Sequence, residues 1–187
     1  AGPVNDIQAQ FLGTVRANVD RMNTIVTDLN DLTKIQVGNM RLEYRIVQVP
    51  EALDEVIRSL KRQIEDKKQT LTLSLPEGLP VVWADPSRLN QILTNLVSNA
   101  QKYTPEEGQI DVGAEQYSSE EEALAGVKFV HIWVKDSGIG IAEEDQKKIF
   151  QQYFRTETAK EMASGTGLGL NITKSLIEMQ GGRIWFD

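Results

Sequence analysis

Four short segments carry most of the side chains able to do chemistry. In the first, Asn95 and Asn99 stand four residues apart, and Gln91 and Lys102 extend the row. Residues at that spacing share one face of a helix. A carboxamide oxygen is a hard ligand suited to Mg²⁺, and a lysine one turn on can meet a phosphate. The same row also fits the solvated edge of an amphipathic helix. The second segment is Asp136-Ser137-Gly138-Ile139-Gly140-Ile141. Its glycines permit close backbone approach to a ligand, and its carboxylate can accept a hydrogen bond from the amino group of an adenine. A plain surface turn built from good turn formers is the other reading. The third, Gly165-Thr166-Gly167-Leu168-Gly169-Leu170, runs into a helix-like stretch. Free amides and the positive dipole end at a helix start suit phosphate oxygens, and a flexible loop with no ligand is the alternative. The segment lacks both the Gly-Lys-Ser/Thr ending of a P-loop and the dinucleotide spacing of glycines. In the fourth, Phe150 and Phe154 lie four apart and Arg155 follows. They also read as core aromatics. Residues 155–166 show no apolar period and read as a mobile cover over a site.

The elements that must position these groups follow from periodicity. Residues 7–36 read as one long helix, with Phe11, Val15, Met22, Ile25, Val26, Leu29 and Leu32 at spacings of three, four or seven. That stripe has no partner within its own segment, so it either folds back or serves self-association. Gly38 is a plausible C-cap. A strand is expected over 41–49, a helix from Pro50 to about Lys67, and strands at 70–75 and 81–83. Asp85-Pro86 opens a helix over 86–101, Asp as cap and Pro in the first turn. Strands are expected at 109–117 and 127–135, separated by the acidic loop Ser118-Ser119-Glu120-Glu121-Glu122. Helices are expected at 143–153 and 167–179, and a last strand from Arg183.

The 187 residues, 40% of them hydrophobic, suffice for one compact domain plus an extra element. A net charge of −7 argues against sequence-independent binding to nucleic acid, which needs a basic face. Binding of an anionic nucleotide is still allowed, because amides, a metal ion and a few local cations can provide for it. With no cysteine, disulfides and thiolate metal sites are excluded. No apolar run approaches the ~20 residues of a membrane span, and no signal-peptide pattern opens the chain.

Taken in order, the segments resemble the boxes of sensor histidine kinases in the GHKL ATPase superfamily. The N box is similar to Asn95-Leu96-Val97-Ser98-Asn99-Ala100-Gln101-Lys102-Tyr103, and the G1 box to Asp136-Ser137-Gly138-Ile139-Gly140. The F box is similar to Phe150-Gln151-Gln152-Tyr153-Phe154-Arg155, and the G2 box to Gly165–Leu170. The resemblance runs from about residue 11 to residue 186. It implies a two-layer α/β sandwich of the Bergerat type, a mixed sheet against three helices, preceded by one long N-terminal helix. Residues 1–38 would be a dimerisation-type helix and residues 39–187 the ATP-binding domain, with the boundary within 37–41.

By the same resemblance Asn99 would hold Mg²⁺ and Asn95 would support the metal and phosphates. Lys102 would contact phosphate, Tyr103 would line the adenine pocket and Asp136 would recognise the adenine amino group. Gly138, Gly140, Ile141 and Phe154 would shape the nucleotide pocket, and Gly165, Thr166, Gly167, Leu168 and Gly169 would border the triphosphate. Asn95, Lys102 and Arg155 would stand nearest the reaction. That reaction passes the γ-phosphoryl of ATP to a histidine, then to an aspartate of a response-regulator receiver domain. The gyrase, Hsp90 and MutL types carry a glutamate where this chain has Asn95, and a carboxamide is a poor base for activating water.

The chain departs from the family where the acceptor is concerned. Residues 7–36 resemble only the second helix of the dimerisation hairpin, and the sole histidine, His131, lies in a strand-like run. The chain is expected to be an excised core of a longer, homodimeric kinase, a cytoplasmic domain whether or not the parent is membrane-anchored. Alone it should bind Mg·ATP without autophosphorylating. The alternatives are a nucleotide-gated dimerisation or interaction module without kinase activity, and an ATPase of the wider superfamily.

Overall fold

The computed structural model of the chain describes residues 2, 4–117 and 128–187. The acidic loop expected over Ser118–Glu122 lies outside the described residues. The chain divides into two compact units, residues 1–41 and 42–187.

The first unit is helix α1, Asp6–Gln36. Asn5 opens it with a reciprocal capping box: its side chain accepts from the Gln8 amide, and the Gln8 side chain accepts from the Asn5 amide. At the other end the Gly38 amide bonds Ile35 O and the Asn39 amide bonds Lys34 O. With Gly38 at φ 70°, this is a Schellman closure. Phe11, Val15, Met22, Ile25, Val26 and Leu29 are exposed along it, while Leu32 is buried.

The second unit is a helix layer on a mixed sheet. Strand β1 (Arg45–Val47) pairs antiparallel with β3 (Val82–Ala84) as a separate two-stranded ribbon. Strands β2 (Thr70–Ser74), β4 (Gln109–Tyr117) and β5 (Phe129–Asp136) form the main sheet in the order β2-β4-β5. The β2/β4 pair is parallel and the β4/β5 pair antiparallel. Helix α2 (Val49–Asp66) and helix α3 (Pro86–Tyr103) lie on this sheet. One core joins Leu53, Val56 and Leu60 of α2, Leu93 and Val97 of α3, and Ile110, Val112 and Ala114 of β4. Strand alternation puts those three β4 side chains on the helix side. Short helices α4 (Glu143–Gln146) and α5 (Glu157–Met162) follow, then α6 (Gly169–Met179), which packs against α3 and buries Ile172 and Leu176.

Three expectations need correction. The helix expected over 143–153 stops at Gln146, because the next bonds close at i+3 (Lys148 N to Asp145 O, Gln151 N to Lys148 O) and α6 captures the Phe150 carbonyl through Asn171. The stretch 155–166 is not featureless: it contains α5, too short at six residues to show a 3.6-residue period. No strand forms over 183–187. That end is held by side chains instead, Trp185 stacked on His131 at 5.0 Å and Phe186 against Phe150 at 6.1 Å.

The start of α3 is fixed by Asp85. Its Oδ1 accepts from the Ser87 and Arg88 amides and its Oδ2 from the Glu43 amide at 2.8 Å. Burial by itself pushes this carboxyl up. The three amide hydrogen bonds and the Arg88 charge outweigh it and hold the group below its ordinary value. A carboxyl depressed in the fold contributes stability that is complete above its unfolded pKa and disappears as pH falls through the folded one. Asp85→Ala is expected to cost about 1–2 kcal/mol at neutral pH. The deficit relative to wild type should shrink below about pH 4, read by urea denaturation across pH.

Candidate nucleotide site

Helix α3 is the wall that the other motifs meet. Leu89, Ile92, Leu93, Val97 and Ala100 turn into the core, so Asn95, Asn99 and Lys102 are left half-buried on the flank. Gln91, expected in the same row, is engaged one turn back by the Arg88 guanidinium at 2.8 Å.

The middle of α3 meets the start of α6. Asn95 Nδ2 donates to Thr173 Oγ1 at 2.8 Å, and Thr173 is buried. A methyl at Gly169 would sit 2.5 Å from Asn95 Oδ1, so only glycine lets the helix start come this close. The first amides of α6 have no partner within the helix, and they open beside the asparagine row. Gly167 turns the chain into α6 at φ 72°, and its carbonyl accepts from the Tyr153 amide at 3.0 Å. A side chain there would meet the Tyr153 backbone at 2.7 Å. Thr166 Oγ1 accepts from the Leu168 amide, closing the turn, and Leu168 is buried.

The last residue of α3 meets the loop after β5. Asp136 ends that strand, exposed, and its Oδ1 accepts from the Gly138 amide at 2.8 Å. Ser137 is pinned to the start of β4 twice, its amide on Gln109 O and its hydroxyl taking the Gln109 amide. Gly140 has φ 65°, and Ile139 and Ile141 on either side are exposed. Tyr103, half-buried, presents its carbonyl to Gly138.

Arg155 anchors the cover segment. Its guanidinium donates to the carbonyls of Ala159, Ala163 and Gly165. Thr156 caps α5 by accepting from the Ala159 amide, and α5 touches α3. Phe154 is half-buried with the Lys148 ammonium 5.6 Å from its ring centre. His131 stands apart on β5, between Trp185 and Trp133, with Nδ1 3.3 Å from Glu115 Oε1.

The structure thus sets Gly169 against Asn95 on α3, with Thr166, Gly167 and Leu168 in the turn just before it, and brings Tyr103, Asp136 and Gly138 together at the end of the helix. Sequence reading missed Thr173. Its signal was a hydroxyl between Ile172 and Leu176 on the buried face of α6, which needs a partner there.

Comparison with known proteins places this architecture. Residues 84–187 match the family described as histidine kinase-, DNA gyrase B-, and HSP90-like ATPase, and the chain belongs to this family of ATP-binding domains. Its sequence aligns with histidine kinases almost end to end. The signal transduction histidine-protein kinase BarA of Escherichia coli (strain K12) is 37% identical over 96% of this chain. The chain spans only 19% of BarA's length. The solved catalytic domain of histidine kinase ThkA is 34% identical, with a TM-score of 0.64 over 77% of this chain and 86% of that one. Full-length ShkA, solved with AMPPNP, shares the fold at a TM-score of 0.77 and 24% identity, over 96% of this chain and 35% of that one.

Arg155→Ala removes three charge-assisted bonds that hold residues 156–165 together. Amide hydrogen exchange there is expected to accelerate about tenfold or more, with the core strands unchanged. Equal exchange in both proteins would show that the guanidinium does not restrain the segment.

Proposed function

We propose that the chain is the ATP-binding catalytic core of a two-component sensor histidine kinase. It transfers the γ-phosphoryl of Mg·ATP to a histidine outside this chain, for relay to a response-regulator aspartate. The observation that supports this most is the spacing of contacts on α3. Asn95 packs on Gly169 and Thr173 at the start of α6 and Tyr103 on Gly138 of the G1 loop, eight residues or about 12 Å apart along a helix. That interval suits one nucleotide laid along α3, its phosphates at Asn95, Asn99 and the α6 amides, its base at Tyr103 and Asp136.

At the base end, the Gly138 amide orients the Asp136 carboxylate through one oxygen, and the other accepts from the adenine amino group. Ile141, Gly140 and Phe154 supply apolar or close-fitting surface. At the phosphate end, Lys102 and the free amides at the start of α6, bordered by Gly165 to Gly169, neutralise charge. Among the described residues no group of three or more His, Cys, Asp or Glu side chains could hold a metal. The carboxamide oxygens of Asn99 and, one turn back, Asn95 are hard donors of the kind Mg²⁺ accepts, an ion that takes few protein ligands and shares its shell with phosphates and water. Such an ion, held by Asn99 with Asn95 in support, would draw off phosphate charge. Transfer forms a P–N bond to the acceptor as the bridging P–O bond breaks and ADP leaves. No base is needed for water, consistent with Asn95 holding Thr173 rather than acting as one. Positioning and charge neutralisation supply most of the rate, and Arg155 acts by ordering the cover.

We also read residues 1–38 as the dimerisation helix, supported by the exposed Phe11, Val15, Met22 and Val26. The partner of the parent protein is a receiver domain, and the compartment is the cytoplasm. No helix among the described residues is long and apolar enough to cross a membrane.

Calorimetric titration with ATP and GTP, with and without Mg²⁺, tests the site. ATP should bind and GTP should not, with Mg²⁺ strengthening the binding. Asn99→Ala should remove the gain due to Mg²⁺, and Asp136→Asn should weaken ATP about tenfold or more. Unchanged affinity in both variants would sink the residue assignments.

A further inference from the structure

The three functional side chains nearest the end of α3, Asn99, Lys102 and Tyr103, hang on a helix terminus whose carbonyls cannot be satisfied locally. The last carbonyls of a helix have no partner within it. Here the Thr104 amide reaches Ala100 O, but the next donor in line would be residue 105, a proline without an N–H.

The donors come from another part of the chain. Lys67, at the end of α2, sends its ammonium to Gln101 O, Lys102 O and Thr104 O at 2.9, 2.9 and 3.0 Å. Gln69 is itself buried. Its Nε2 bonds Gln101 O and Thr104 O at 3.0 and 2.7 Å and reaches Pro105 O at 3.3 Å. The clamp's own backbone is tied to the segment after α3, the Glu107 amide on Lys67 O and the Thr70 amide on Gly108 O. A cation at a helix C-terminus is also favoured by the helix dipole. The held turn bears directly on the G1 loop, because a methyl at Gly138 would lie 2.6 Å from the Tyr103 carbonyl oxygen.

We propose that Lys67 and Gln69 are positioning residues for nucleotide binding. By gripping the carbonyls of Gln101, Lys102 and Thr104, they set the height and rotation of the last turn of α3. That turn carries Lys102 and Tyr103 and the carbonyl on which Gly138 rests. Neither residue touches nucleotide. This rests on the nucleotide reading of the site above.

The test compares Lys67→Met, which keeps length and loses every donor, with Lys67→Arg, which keeps donors and charge. Val112→Ala in the core, remote from the clamp, controls for lost stability. Titration of Mg·ATP below the unfolding range of all four proteins gives affinities, and thermal unfolding gives stabilities. Lys67→Met should weaken Mg·ATP about tenfold. Lys67→Arg should recover most of that loss, and Val112→Ala should keep wild-type affinity despite a lower Tm. Wild-type affinity in a folded Lys67→Met protein would overturn the inference. So would equal weakening in Lys67→Met and Val112→Ala at equal stability. If the wild-type chain itself fails to bind, the nucleotide reading falls and this inference with it.

Discussion

The anchoring of α3 is the constraint on which the rest depends. One helix supplies a face of the core, through Leu93 and Val97, and the flank of the proposed site, through Asn95, Asn99 and Lys102. A rotation that improved one surface would spoil the other. Both ends are therefore gripped by side chains from outside the helix, Asp85 at its first amides and Lys67 with Gln69 at its last carbonyls. Between these anchors the 18 residues of the helix act as a ruler along which the glycine segments are set.

The glycines matter because they let other backbone approach that ruler. Gly169 brings a helix start against the Asn95 carboxamide, and Gly138 brings the loop after β5 against the Tyr103 carbonyl. Methyl groups would push both contacts apart. The proposed site is thus made of backbone amides and a few fixed polar groups, as expected where an anion is held by oriented dipoles rather than by a surplus of positive charge. An acidic chain with a net charge of −7 can then bind a triphosphate.

Much of this was legible along the sequence, and the unread parts share a cause. The Asp85-Pro86 start, the asparagine spacing and the long α1 stripe are local patterns, and each formed as periodicity and capping chemistry require. Helix α4 came out shorter than expected because Asn171, about twenty residues on, takes a carbonyl from the turns that follow it. The end of the chain pairs through rings instead of a ladder, since Trp185 finds His131 across the fold. Helix α5 left no trace in the apolar pattern because six residues are fewer than two turns.

By itself the sequence determined which groups are available and at what intervals: carboxamides one helical turn apart, a carboxylate before glycines, and glycines before a helix. Local stereochemistry was enough for that, since caps, periods and turns are decided within a few residues. Tertiary structure alone decided which groups meet. Lys67 reaches Gln101 across thirty-four positions and Asn95 meets Thr173 across seventy-eight. Such pairings depend on how α2, α3 and α6 pack around a shared core, and no window of the chain contains both partners.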